Sequence, residues 1–181
     1  MTTRPSWTRY FMEIAHAVAT RATCPRKSVG CVIVSRDNHI LTTGYNGSPP
    51  GMPHCTEAGC DMLDGHCVRA SHAETNAVAQ AARHGISIEG ATVYVTAYPC
   101  WNCFRQLLVA GVSSVVYDEA YRNDERVEGA ARLRGVRIMR ARSVRADQGS
   151  AVTRTSAPSG FNAGKGLVLR QNFNQEGHLR R

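Results

Sequence analysis

Hydrophobic positions in the first 46 residues change from a helical spacing to the continuous runs of a sheet. Residues 6–21 are predicted to form an amphipathic helix, because the apolar side chains recur at helical intervals at Trp7, Tyr10, Phe11, Ile14, Ala15 and Val18. The next run, SVGCVIV (28–34), is apolar and β-branched and predicts a buried strand. After the turn-forming RDNH, the stretch ILTTGYN (40–46) predicts the second strand of a hairpin.

The second half of the chain alternates helical and strand patterns. Helices are predicted at 72–84, ended by Gly85, from Pro99 through Ala110, ended by Gly111, and at 124–134. Strands are predicted at 91–97, 113–118 and 136–141. Such alternation implies parallel crossover connections and therefore a layered α/β fold.

Residues 47–71 have no apolar period and are rich in Gly, Pro, Cys and His. An irregular loop of 25 residues inside a compact domain must be functional or cross-linked.

The length of 181 residues predicts one domain of ordinary size, which we assign to residues 1–144. Residues 145–181 turn to Ser, Gly, Ala and Arg and predict a flexible basic tail, in which GLVLRQNF is a candidate for docking on a partner subunit. No apolar run approaches the roughly 18 residues that a membrane helix needs. The N-terminus has no apolar core of a secretory signal, so we expect a cytoplasmic protein.

The net charge of +8 favours anionic partners, which means nucleic acid or phosphorylated small molecules, although a basic tail with no specific partner is an equal alternative. The cysteine count is seven, which is odd, and no secretion signal accompanies it. Metal binding is therefore a better interpretation of these cysteines than a disulfide framework.

Cys100 and Cys103 are the first candidates for metal ligands. They are three residues apart at the predicted start of a helix, which directs them to the same side. The helix dipole there lowers the pKa of a thiol and favours the thiolate. Alone, the C-x-x-C spacing also fits a redox pair or half of a zinc ribbon.

His72, at the start of another predicted helix, supplies a third ligand. Two thiolates and one imidazole leave the fourth tetrahedral position open for water, which distinguishes a catalytic zinc from a structural one. Glu74 is two residues from His72 and suits a general acid and base. The alternative is a solvated acid beside a closed metal site. The order H-x-E followed by P-C-x-x-C is the signature of zinc nucleobase deaminases.

The segments HAETNA, YPCWNC, TTGYNGSPPGMPHC, CPRKSVGCVIV and GHCVRASHAE together resemble the deoxycytidylate (dCMP) deaminase family, over about residues 7–141. The resemblance implies a three-layer α/β/α fold around a five-stranded mixed sheet, as in cytidine deaminases. It implies hydrolysis of dCMP to dUMP and ammonia, which supplies thymidylate synthesis. It also implies homohexamers, with dCTP as activator and dTTP as inhibitor in many members.

The resemblance also implies site residues. His72, Cys100 and Cys103 match the zinc ligands and Glu74 the proton shuttle. Asn46 matches an asparagine that holds sugar or base, with a simple turn residue as the alternative. Arg26 matches a basic position near the substrate phosphate, and Arg83 a position tied to effectors and subunit contacts; for both, an exposed surface charge is the alternative.

Some family members carry a second, structural zinc in the region of the irregular loop. The resemblance implies that its ligands here are Cys24, Cys55, Cys60 and Cys67. His66 or His54 can replace one of them, so the set of four is open. Four thiolates would explain how the loop stays ordered without its own core. Cys31 lies within an apolar strand and is expected in the core.

Two alternative functions remain open. One is a nucleic-acid-binding module with two structural zincs, which Glu74, the open metal position and the few exposed aromatic and basic stripes argue against. The other keeps the chemistry on a different substrate, a free nucleoside or a tRNA adenosine. The GYNG and CPR segments favour a mononucleotide, so we expect dCMP as the partner, with neither a membrane nor a nucleic acid.

Overall fold

The computed structural model of the chain describes residues 4–120 and 124–141. Its helices are α1 (Trp7–Ala19), α2 (Cys55–Ala58), α3 (Ala73–Arg83), α4 (Trp101–Val109) and α5 (Glu125–Arg134). Its strands are β1 (Gly30–Val34), β2 (Ile40–Tyr45), β3 (Met62–Leu63), β4 (His66–Cys67), β5 (Thr92–Ala97), β6 (Ser114–Glu119) and β7 (Arg137–Arg140).

Five strands form one mixed sheet in the order β2-β1-β5-β6-β7. β1 pairs antiparallel with both β2 and β5, whereas β5–β6 and β6–β7 are parallel. Helices α4 and α5 make the two parallel crossovers, as the alternating pattern predicted. The predicted five-stranded α/β fold is confirmed.

The sheet is covered by helices on both faces, which makes three layers. On one face, Phe11, Met12 and Ala15 of α1 pack against Val32 and its neighbours in the central strands. On the other face, the buried side chains of α3, α4 and α5 form a larger core with alternate residues of the same strands: Cys31, Ile33, Val93, Val95 and Val115. The side chains of β1 alternate between the two faces of the sheet, and helices cover both faces, so all five residues of β1 are buried. Cys31 lies in the core, as predicted.

Two glycines let the helices approach the sheet closely. A Cβ atom at Gly30 would lie 2.0 Å from the carbonyl oxygen of Ala15 in α1. A Cβ atom at Gly44 would lie 2.3 Å from the carbonyl oxygen of Ala73 and 2.5 Å from the nitrogen of Ala77 in α3. The glycine in β2 therefore fixes how near α3 lies to the edge of the sheet.

Two sequence predictions need correction. The loop at 47–71 is not wholly irregular, because it contains the short helix α2 and the two-stranded sheet β3–β4. The helix predicted from Pro99 begins at Trp101, and Cys100 before it has extended backbone angles of φ −72° and ψ 164°. The predicted tail at 145–181, with its boundary and its GLVLRQNF segment, lies outside the described residues. Among residues 4–120 and 124–141, no helix is long and apolar enough to cross a membrane.

Candidate active site

The N-terminal ends of α3 and α4 bring three metal-binding side chains together. His72 is the N-cap of α3 and Cys100 is the N-cap of α4, while Cys103 is in the first turn of α4. The Nδ1 atom of His72 lies 3.6 Å from the Sγ of Cys100 and 3.3 Å from the Sγ of Cys103. All three ligand atoms lie within 4.8 Å of one another.

Backbone hydrogen bonds hold the chain just before the start of both helices. Gly47 and Ser71 exchange two backbone hydrogen bonds of 3.1 and 2.9 Å, and these hold the residue immediately before His72. At the other start, β5 ends at Ala97, and Tyr98 donates its backbone N–H to Glu119 of the neighbouring strand just before Cys100. Backbone hydrogen bonds just before each residue thus position the two candidate ligands at the helix starts.

The spacing of these atoms fits a zinc ion. Zn–S bonds of about 2.3 Å and Zn–N bonds of about 2.0–2.1 Å in a tetrahedron put N and S ligands roughly 3.5 Å apart. The observed N···S distances of 3.6 and 3.3 Å match that separation. Two thiols and one imidazole supply three ligands, so one tetrahedral position is left for a non-protein ligand.

The hydrogen bond between Cys100 and Cys103 already favours a thiolate at this site. The hydrogen bond from Cys103 lowers the pKa of Cys100 to about 4, and the same bond raises the pKa of Cys103. The hydrogen bond with Cys100 also raises the pKa of the His72 imidazole. A zinc ion held by these residues would replace the shared protons, so its binding should release protons.

Glu74 is a buried acid beside these ligands. Its side chain is 5% exposed, in the first turn of α3. Burial raises the pKa of its carboxyl group, although its own backbone N–H and the nearby His72 oppose the shift. Glu74 also contributes, after burial, to the raised pKa of Cys31 in β1. The carboxyl group is therefore held against the core of the domain, where it can retain a proton more readily than a solvated glutamate.

A second group of three cysteines lies in the segment between β2 and α3. The sulfur atoms of Cys55, Cys60 and Cys67 all lie within 4.8 Å of one another, with Cys55 and Cys67 at 3.6 Å. An S···S separation of roughly 3.8 Å is expected for two thiolates on one zinc. The pKa of Cys67 is lowered to about 7: burial raises it, but hydrogen bonds from the backbone of Ala70 and Arg69, from the Cys55 thiol and from the backbone of Asp61 together lower it by more. The predicted second ligand cluster thus has three of its members together.

The other candidates for this cluster lie around it. Cys24 is outside the group of three, but after burial and Cys67 it contributes to the raised pKa of Cys60. His54 precedes Cys55 as the N-cap of α2, and its Nδ1 atom is buried without a hydrogen-bond partner in the described structure. His66 is exposed in β4. The charge interaction of Cys24 with Cys60 and the unpartnered Nδ1 atom of His54 favour these two residues over His66 as the fourth ligand.

The substrate and effector residues that the family resemblance suggested differ in their burial and in their contacts. Asn46 is 7% exposed; its side-chain carbonyl accepts from the N–H of Val29 and its amide donates to the carbonyl of Lys27, both at 2.7 Å. Asn46 therefore fixes the segment before β1, one residue from the Gly47–Ser71 pair. The exposed Arg26 donates from Nη1 to the sulfur of Met62 at 3.4 Å. Arg83 is exposed at the C-terminal end of α3.

Some polar groups in this region were not singled out from the sequence. The Thr75 hydroxyl lies 3.8 Å from the Cys103 sulfur, and its position three residues after His72 is the signal that could have indicated it. Thr23 Oγ1, Ser48 Oγ and Arg69 Nε are buried without hydrogen-bond partners in the described structure. No sequence pattern indicates these three, because they come from separate segments.

Comparison with known proteins gives three related findings. A family model of the cytidine and deoxycytidylate deaminase zinc-binding region matches residues 5–119. The chain is 48% identical over 119 residues to ComE operon protein 2 of Bacillus subtilis, covering 66% of this chain and 62% of the relative. It is 40% identical over 128 residues to deoxycytidylate deaminase of Saccharomyces cerevisiae, covering 67% of this chain and 40% of the relative.

Among solved structures, the chain is similar to the dCMP deaminase of cyanophage S-TIM5 in complex with dCMP and dUMP. The two have 29% sequence identity and a TM-score of 0.67, and the match covers 77% of this chain and 100% of the phage chain. The chain spans about two-fifths to three-fifths of the length of the curated relatives above, but the whole of the phage enzyme.

Proposed function

This chain belongs to the cytidine and deoxycytidylate deaminase family, and from that premise we propose that it converts dCMP and water into dUMP and ammonia. The observation that carries the proposal is the meeting of His72, Cys100 and Cys103 around one point, with the buried Glu74 two residues from His72. The similarity to a phage enzyme holding dCMP and dUMP supports the choice of substrate.

Zinc is the metal that this family and these ligands indicate. His72, Cys100 and Cys103 would hold it, and the ion would supply an activated water for hydrolysis. Cys100 and Cys103 lie at the N-terminal end of α4, where the helix dipole stabilises the negative charge of a thiolate. The Thr75 hydroxyl, close to Cys103, is in position to stabilise that sulfur further.

Glu74 is the group that would move protons. Since burial raises the pKa of its carboxyl group, Glu74 can accept a proton and keep it until the amino group leaves the cytosine ring. The first turn of α3 places Glu74 two residues after His72, so its carboxyl group is already near the proposed metal position when the transfer begins.

The cysteine cluster would hold a second, structural zinc. Cys55, Cys60 and Cys67 supply three ligands, and either Cys24 or His54 supplies the fourth. The short elements α2, β3 and β4 contain few buried apolar residues, so a metal cross-link is the interaction that would order them. Zinc content of Cys24→Ser and His54→Ala variants would identify the fourth ligand.

Further features of the family stay predictions for this chain. Asn46 would align the sugar or base, since it adjoins Gly47, which pairs with Ser71 just before the start of α3. Arg26 would approach the substrate phosphate, and Arg83 would contact an effector or a second subunit. Hexamer formation, activation by dCTP, inhibition by dTTP and a cytoplasmic location belong to the same set.

A side-by-side assay tests the proposed function. The purified full chain, loaded with zinc, is supplied with dCMP, deoxycytidine, dCTP and tRNA, and ammonia release is measured for each. We expect dCMP to give by far the highest kcat/KM. Preferred release from tRNA or deoxycytidine would contradict the proposed substrate, and no release from any of them would contradict the deaminase assignment.

A further inference from the structure

One edge of the main sheet carries a concentrated positive charge. Residues 129–140, which form the second half of α5, a turn and β7, contain no acidic residue. The arginines of this segment are all exposed: Arg132, Arg134, Arg137 and Arg140. The opposite edge of the sheet is β2, which has no charged residue. The charge is therefore particular to one edge, and we call residues 129–140 the basic edge.

Most of these arginines have no acidic partner in the part of the chain that the structure describes. At the start of the same helix, Arg126 pairs with Asp124 at 2.7 Å, so an arginine of α5 can be neutralised locally. The guanidinium groups of Arg132, Arg134 and Arg137 form no ion pair or hydrogen bond with any described residue. The charge of the basic edge is therefore available to a partner.

Helix and strand stability explain only part of this charge. Arg132 and Arg134 lie near the negative end of the dipole of α5, where cations stabilise a helix. Arg137 and Arg140 belong to β7 instead. Arginine on an edge strand prevents pairing with a second copy of that strand, because like charges would meet. The same charges attract a strand that is acidic.

The backbone of β7 has groups that are free for strand pairing. Within residues 4–120 and 124–141, β7 is last in the strand order, so only β6 pairs with it. Arg137 and Ala141 donate their N–H groups to carbonyls on the β6 side. Since alternate residues of a strand direct these groups to opposite sides, the N–H groups of Ile138 and Arg140 point away from β6. An extended peptide can pair with them.

The side chains among the arginines indicate the kind of partner. Leu133 of α5 is 85% exposed, and Met139 of β7 is 46% exposed. Aromatic side chains, on which the bases of single-stranded nucleic acid stack, are absent from the sequence of residues 129–140. Exposed arginine, leucine and methionine beside an open strand edge suit a peptide in which acidic and apolar residues alternate.

We propose that the basic edge binds an extended acidic segment of a partner protein, which joins the sheet as a strand beside β7. Carboxylates of the segment contact Arg134 and Arg137, and its backbone pairs with Ile138 and Arg140. Few basic stripes were expected in the body of the chain from the sequence, and this one is formed jointly by a helix end and a strand. It shares no residue with the candidate active site, so it is independent of the proposed deamination.

Fluorescence anisotropy with the purified full chain tests the proposal. The probe is a short fluorescein-labelled peptide in which glutamate and valine alternate. Its affinity for the wild-type chain should weaken as sodium chloride rises from about 50 mM to about 500 mM, because salt screens exposed charges. Arg132→Gln, Arg134→Gln and Arg137→Gln combined should weaken binding roughly 5- to 100-fold, since each exposed ion pair contributes little and three are removed.

A matched control removes the same charge from other surfaces. Arg21→Gln, Arg36→Gln and Arg105→Gln combined replace three exposed arginines outside the basic edge and should leave the affinity within about 2-fold of wild type. Equal weakening in both triple variants would overturn the proposal, because binding would then follow net charge alone. Absence of binding to the wild-type chain at low salt would overturn it as well.

Two measurements on the wild-type chain test strand addition and do not depend on the folding of a variant. A peptide of the same sequence that is N-methylated at every residue has no N–H donor and should bind at least about 10-fold more weakly. Hydrogen exchange at the N–H groups of Ile138 and Arg140 should slow when the unmethylated peptide saturates the chain. Equal binding of the two peptides, or unchanged exchange at both positions, would refute pairing with β7.

The edge variant also distinguishes two other partners. A fluorescein-labelled oligothymidylate that binds the wild-type chain more tightly than the peptide, and loses that binding in the edge variant, would make the surface a nucleic-acid site. Fewer subunits in the edge variant than in the wild-type chain, by light scattering, would make it a contact between copies. Either result would contradict the proposal, whereas weak oligothymidylate binding and an unchanged subunit number support it.

Discussion

Replacing Gly44 with alanine should displace α3 and thereby damage the active site. The new Cβ atom would lie 2.3 Å from the Ala73 carbonyl oxygen and 2.5 Å from the Ala77 nitrogen, and both are backbone atoms that cannot rotate away. To restore an ordinary contact, α3 must move away from β2 by roughly 1 Å. That helix begins directly after His72 and contains Glu74 in its first turn.

The structure sets the size of the expected effect. A catalytic group misplaced by about 1 Å can cost on the order of 10²-fold in rate. Overpacking of this kind also costs about 1–3 kcal/mol of the free energy of unfolding. The hydrogen bond from the Thr42 hydroxyl to the Ala77 carbonyl, now 3.1 Å, should be strained by the same movement.

The assay combines kcat/KM for dCMP, zinc content and chemical denaturation of the purified variant. Gly129→Ala is the matched control, because Gly129 lies in helix α5 and an added Cβ atom there has no neighbour within 4 Å. The control should gain roughly 0.5–1 kcal/mol of stability and keep its activity. Wild-type activity and stability in Gly44→Ala would refute the idea that this close approach positions Glu74.

Three further outcomes are expected. Glu74→Gln should keep its zinc but lose about 10²- to 10⁴-fold in kcat, since glutamine matches the shape and cannot carry the proton; near-normal turnover by the zinc-loaded variant would remove Glu74 from the mechanism. Metal analysis should find two zinc ions per chain, falling to one in Cys60→Ser and staying at two in Cys31→Ala; a wild-type value of one would leave the loop cysteines as plain thiols. Tyr98→Phe should cost about 1 kcal/mol in denaturant unfolding, because it removes the 2.8 Å hydrogen bond to Glu128; an unchanged midpoint would mean that this bond adds nothing to stability.

Most of the fold could be predicted from local sequence patterns. The β-branched run before Val34 and the alternation of helices and strands after Gly90 each depend on short-range preferences, and the structure has the corresponding elements. The candidate ligands His72, Cys100 and Cys103 could also be predicted from the sequence, because the order H-x-E followed by P-C-x-x-C is much more specific than either part alone. Their meeting in space is consistent with that prediction.

Other features depend on contacts between distant segments. The β3–β4 pair has only two residues in each strand and no apolar period, so nothing in the sequence marks it. Cys100 was expected inside a helix, but it is the N-cap of α4 and has an extended backbone. Thr23 Oγ1 and Arg69 Nε are buried without hydrogen-bond partners in the described structure. This depends on how separate segments pack together, which the composition of the chain cannot indicate.

The two helix starts have a consequence for how the chain reaches its native state. Neither His72 nor Cys100 forms the side-chain hydrogen bond that normally caps a helix and contributes about 1 kcal/mol before any tertiary contact exists. The first turns of α3 and α4 should therefore form late. They need β5 to pair with β1 first, because His72 and Cys100 are 28 residues apart in the chain and must be brought together. Metal capture would then mark the end of folding. When zinc is scarce, chains in which both first turns are frayed should accumulate. Proteases should cleave these chains in preference to the zinc-bound form.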